Sequence, residues 1–80
     1  MLTETIKKSE EFKKWTKTYR KVTLINNEDD ANVLVICLNK NGTYDLLRFF
    51  TVGCRVMISA DQQDVSANAI LEALNEELNN

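Results

Sequence analysis

Apolar positions along this chain change period three times, and each change marks an element. From Phe12 the apolar residues Phe12, Trp15, Tyr19 and Val22 recur at helical spacing. Ser9 stands before them as an N-cap, and Glu10 and Glu11 occupy the first turn, where the helix dipole favours acids. The spacing predicts an amphipathic helix over about residues 9–20. Ile6 falls off its stripe, so the helix starts at Ser9 or bends there. Val22 to Ile25 is short and β-branched, an edge strand. Residues 26–32 are polar and acidic, a loop. Val33 to Leu38 is an unbroken apolar run, which predicts a central strand covered on both faces.

Asn41-Gly42 predicts a two-residue type I′ hairpin turn, with positive φ at both positions. That turn pairs residues whose numbers sum to 83. Val33, Val35 and Cys37 then share a face with Phe50, Arg48 and Leu46. Leu34 and Ile36 share the other face with Leu47 and Phe49. Gly53 predicts a second, three-residue turn. Beyond it Cys54, Val56 and Ile58 join the first face, and Arg55 and Met57 the second. The last periodic stretch carries Ala67, Ile70, Leu71, Leu74 and Leu78, with Ser66 as N-cap and Asp61 as a rival start. The order is an N-terminal helix, a three- to four-stranded antiparallel meander and a C-terminal helix. The fold class is therefore α+β, in two layers. The pattern leaves open whether both helices cover one face of the sheet or one covers each.

Eighty residues make one domain, 1–80, in which burial and ordering entropy nearly cancel. A partner or a second copy then has room to contribute to stability. The net charge of −2 conceals a division. Residues 1–21 hold seven cations against three acids, and the remainder holds three cations against nine acids. The basic face of the N-terminal helix comprises Lys13, Lys14, Lys17, Arg20 and Lys21. It is a candidate for phosphate binding, but its lysines oppose the aromatic stripe, as on a core-packed helix with a solvated face. Trp15 accordingly belongs to the expected core.

Catalytic chemistry finds little to work with. The chain has no histidine, so its serines lack the usual activating base. Its two cysteines do not form a CxxC pair, and Cys37 and Cys54 are expected to be buried thiols too far apart for a disulfide. Glu28-Asp29-Asp30 and the pair Asp61 and Asp64 read as a solvated loop and a charged helix entry. No catalytic, cofactor or metal site is expected. The helix–strands–helix order and the run Ser66 to Leu78 loosely resemble double-stranded-RNA-binding domains. That family begins its last helix with a lysine cluster, and here the position reads Asp61-Gln62-Gln63-Asp64. The function expected is a non-enzymatic protein–protein interaction module: an inhibitor, adaptor or regulatory protein. The alternative is a nucleic-acid-binding domain acting through the basic helix. The candidate partner surface is the second sheet face: Leu34, Ile36, Leu47, Phe49 and, at its margin, Met57. Its expected partner is another protein or a second copy, with nucleic acid less favoured and no membrane. With no apolar run of membrane-spanning length and no secretory signal, the expected location is cytoplasmic. Nine asparagines with no proline and no histidine suggest an AT-rich genome, such as that of a Gram-positive bacterium or a phage, and the expected regulator suits a phage or mobile element.

Overall fold

The computed structural model describes residues 2–26 and 32–78, with the side chains of Asn26 and Leu78 excepted. Its elements are α1 (Leu2–Lys8), α2 (Glu10–Thr16), β1 (Lys21–Asn26), β2 (Val33–Leu38), β3 (Tyr44–Val52), β4 (Arg55–Val65) and α3 (Ala67–Leu78). The strands form one antiparallel meander in the order β1-β2-β3-β4. The α+β class, the element order and the edge and central strands are as expected. The helices divide between the faces, which adds a helical layer to the two-layer stacking expected. Ile6 of α1 is buried with Val33, Val35, Cys37, Leu47 and Phe49. Ile70 of α3 is buried on the opposite face with Leu34 and Leu46.

The N-terminal helical region is bent at Ser9, as the stray position of Ile6 implied. The Ser9 hydroxyl donates to the Ile6 carbonyl at 2.6 Å and accepts from the Phe12 amide at 3.1 Å, closing α1 and capping α2. α2 ends at Thr16, short of residue 20, and the Thr16 hydroxyl donates to the Phe12 carbonyl at 2.7 Å. With α1 supplying Leu2 and Ile6, α2 needs only its Phe12 row against the sheet. The Phe12 and Phe49 rings lie 5.5 Å apart, tilted by 59°. Trp15 is consequently 52% exposed, which overturns its placement in the core.

Both hairpins depart from expectation, and they exchange lengths. At Asn41-Gly42 the Asn39 amide donates to the Thr43 carbonyl at 2.8 Å, closing a three-residue loop, Lys40-Asn41-Gly42. The Gly42 amide donates to the Asn39 carbonyl at 3.1 Å. Only Gly42 in this loop has positive φ, +88°, as the left-handed residue of a turn with a G1 bulge. At Gly53 the loop has two residues, because Val52 pairs directly with Arg55.

The extra residue in the first loop moves the register by one. Ile36 lies opposite Leu46, not Leu47, and pairs in β2–β3 sum to 82. Since side chains alternate across a strand, the slip turns every β3 side chain to the other face. Leu47 and Phe49 face α1 and α2 with Val33, Val35 and Cys37, while Leu46, Arg48 and Phe50 join Leu34 and Ile36 under and beside α3. The β4 assignments are kept: Val56 and Ile58 lie on the first face and Met57 on the second.

Val65 precedes the N-cap Ser66, whose hydroxyl accepts from the Ala69 amide at 3.3 Å. Val65 packs with Ile70 as a hydrophobic staple. Asp61 therefore does not start the helix, and the Asp61–Asp64 run belongs to β4. Ile70, Ala73 and Leu74 meet the sheet; Leu71, expected on the apolar stripe, is 58% exposed.

Candidate functional site

The expected partner surface does not exist as one patch. Leu34 lies under α3, Leu47 and Phe49 lie on the opposite face under α1 and α2, and all three are at most 1% exposed. Ile36 is half-buried beside α3. Only Met57 reaches solvent appreciably, at 38%. The charge of Arg48 explains why this register is stable. In the structure Arg48 projects at the rim of α3, donating to Asp61 and Glu77 at 2.8 Å each. In the expected register it would sit among Val33, Val35 and Phe50. Burying an unpaired guanidinium there costs several kcal/mol, more than any turn preference supplies.

The basic residues Lys13, Lys14, Lys17, Arg20 and Lys21 are all exposed, but not on one helix face. Lys13 and Lys14 lie on α2, Lys17 is its C-cap, and Arg20 and Lys21 lead into β1. Trp15 now stands at the surface beside them, a grouping that the sequence pattern had excluded. The acidic triplet Glu28-Asp29-Asp30 lies outside the described residues. Cys37 is fully buried; burial, with Asp45 nearby, pushes its thiol up to about 12. Cys54 sits in the two-residue turn and is exposed, so its expected burial is wrong.

The structure instead brings exposed apolar side chains together along β4. This strand closes one edge of the sheet, and eight of its eleven residues are exposed. Two polar anchors disrupt its second half. Asp45, buried on β3, accepts from the Asp64 amide at 2.9 Å, from Asn39 at 2.9 Å and from the Tyr19 hydroxyl at 2.7 Å. Asp64 takes a left-handed conformation, φ 57°, and accepts from the Thr43 hydroxyl at 2.7 Å. Arg48 holds Asp61 as described, and Asp61 is the extra residue between the pairs Leu47–Ala60 and Leu46–Gln62. These irregularities blunt the edge from Asp61 onward. The two carboxylates are thus engaged separately.

Electrostatics reinforce both anchors. Burial raises the Asp45 carboxyl, but the bonds from Asn39, the Asp64 amide and Tyr19 outweigh it and leave it below its ordinary value. The Tyr19 hydroxyl is raised by burial and by its bond to Asp45. Bonds to Glu77 and Asp61 hold the Arg48 guanidinium protonated, and Arg48 in turn lowers the Glu77 carboxyl.

From Arg55 to Ala60 the edge is regular and carries one charge. The closing pair of a two-residue hairpin is hydrogen-bonded, so alternate residues beyond it point their main-chain groups outward. Here those are Val56, Ile58 and Ala60. Beside them stand Met57 and, across the hairpin, Val52, which is 59% exposed. A groove lined by Thr5, Lys8, Ser9, Glu11, Cys54, Arg55 and Val56 runs between the N-terminal helices and β4. Glu11 lies one turn before Trp15 on the same row of α2. Periodicity could not find the flank, because it depends on which strand ends the sheet. The chain matches no protein-family model, no curated protein and no solved structure.

Proposed function

We propose that this chain is a non-enzymatic protein–protein interaction module, of the inhibitor, adaptor or regulatory kind, that docks its partner along the β4 flank. The observation that carries this reading is the unblunted edge Arg55–Ala60 with Val52 and Met57 exposed beside it, and Trp15 exposed on α2 one turn beyond Glu11 of the adjoining groove. An open strand edge offers main-chain hydrogen bonds to an incoming chain, and flanking side chains supply selectivity. Tryptophan is among the residues most enriched where interfaces concentrate their binding energy. The groove beside it mixes Lys8 and Arg55 with Glu11, a pattern suited to a protein surface of both signs. A cytoplasmic location and a phage or mobile-element origin belong to the same reading and rest on composition. Among the described residues, no helix is long and apolar enough to cross a membrane.

One observation favours a second reading, nucleic-acid binding. Trp15 is exposed in the layer that carries Lys13, Lys14 and Lys17, and bases stack on such an aromatic. The two separate by experiment. The immobilised chain should retain a protein from the source cell, and Trp15→Ala should weaken that retention about tenfold or more without unfolding the bait. Generic DNA and RNA should bind weakly. Tight DNA or RNA binding that falls steeply with salt and is lost in Trp15→Ala would instead establish the second reading.

A further inference from the structure

We infer that the occupant of the β4 edge is a second copy of this chain, paired strand to strand about a two-fold axis at Ile58. The inference rests on the reading of the β4 flank as a protein-binding surface. A two-fold axis normal to a sheet keeps each face on its own side, so only residues of the same face can lie opposite one another. The outward main-chain groups belong to Val56, Ile58 and Ala60, as the Val52–Arg55 closing pair dictates. Centring the axis on Ile58 places Ile58 opposite Ile58 of the second copy and Val56 opposite Ala60. Every outward group of the regular half is then used. Shifting the centre to Met57 sets Ala60 against the turn at Cys54. Shifting it to Ser59 sets Val56 against Gln62, beyond the irregularity at Asp61.

Charge selects the same register. With Ile58 at the centre, Arg55 lies opposite Asp61 of the second copy, and the pair recurs at the other end of the interface. Arg55 is the one charge within the regular half, and Asp61 is the residue at which that half ends. On the face covered by α1 and α2, Val56 and Ile58 are half-buried against the core. Pairing sets them beside Ala60 and Ile58 of the second copy, so the two cores join across the axis. The two-fold contact uses the β4 edge of both copies, so it closes on itself as a dimer.

Sedimentation equilibrium across the micromolar range tests this, with Cys54→Ser in all proteins to prevent disulfide cross-linking. The parent chain should be dimeric. Arg55→Glu sets like charges opposite one another twice and should weaken the dimer about tenfold. Ala60→Pro removes an outward N–H that a lone edge strand does not use, and should weaken it at least as much while leaving the monomer's melting temperature unchanged. Should Ala60→Pro fail to fold, Arg55→Glu decides alone. A parent chain that stays monomeric throughout overturns the second copy as occupant. A dimer indifferent to the variants overturns the β4 pairing. Either failure is distinct from failure of the underlying reading, which would show as salt-sensitive binding of DNA or RNA dependent on Trp15.

Discussion

A carboxylate buried without donors costs several kcal/mol, and Asp45 is supplied with three of them. Asn39 comes from the first hairpin loop, Tyr19 from the connection into β1, and the Asp64 amide from the bulged part of β4. One side chain therefore fixes three segments at the same end of the sheet. Because its folded pKa lies below the unfolded value of about 3.9, its contribution is present above that pH and is lost as pH falls through the folded value. Asp45→Asn should cost about 1–3 kcal/mol at neutral pH, and its gap to the parent chain should close below about pH 4. Urea unfolding of both proteins over a pH series measures this. A gap independent of pH would mean that the ionised carboxylate is not what the three donors hold. None of this was legible beforehand: an aspartate within an apolar strand gives no sign of the donors that will surround it.

At the level of elements, the two hairpins show how little separates one register from the next. Asn41-Gly42 suits a two-residue loop, but it suits equally a three-residue loop in which Gly42 alone takes positive φ. Asn41 then uses its side chain instead, accepting from the Thr43 amide at 3.1 Å. Gly42→Ala should destabilise the chain by about 1–2 kcal/mol, the cost of forcing a Cβ into the left-handed region. No atom lies within 4 Å of the site where that Cβ would stand, so crowding adds nothing. Thermal unfolding gives the magnitude, and cross-strand NOEs should join Ile36 to Leu46. An NOE pattern joining Ile36 to Leu47 would restore the two-residue loop and reverse both faces of β3.

Across the whole molecule, stability comes from two cores divided by the sheet. Phe49 is at the centre of the larger, 0% exposed and packed against the tilted ring of Phe12. Phe49→Ala should cost about 3–5 kcal/mol, and Phe49→Asp should leave no folded chain. Trp15, the other large aromatic of this layer, should cost about 1 kcal/mol or less on replacement by alanine, because half of it is already in water. Denaturant midpoints of the two alanine variants test this contrast. A Trp15→Ala penalty as large as that of Phe49→Ala would return Trp15 to the core and remove it from the candidate binding surface.

Local chemistry was sufficient to determine the order of elements, the caps at Ser9 and Ser66, the doubly covered β2 and the outer position of β1. Each of these depends on residues within a turn or two of one another, where spacing and capping act directly. The faces of β3, the place of Trp15 and the open edge at β4 were decided only in the folded chain. A one-residue change in the first loop alters the turn energy little, yet it exchanges Arg48 for Phe49 beneath the N-terminal helices. The decision lay with partners distant in sequence: Glu77 and Asp61 receive Arg48 at the rim, and Phe12 and Ile6 receive Phe49 inside. Burying a charge without such partners costs more than a turn can return, so the cores chose the register and the register exposed the edge.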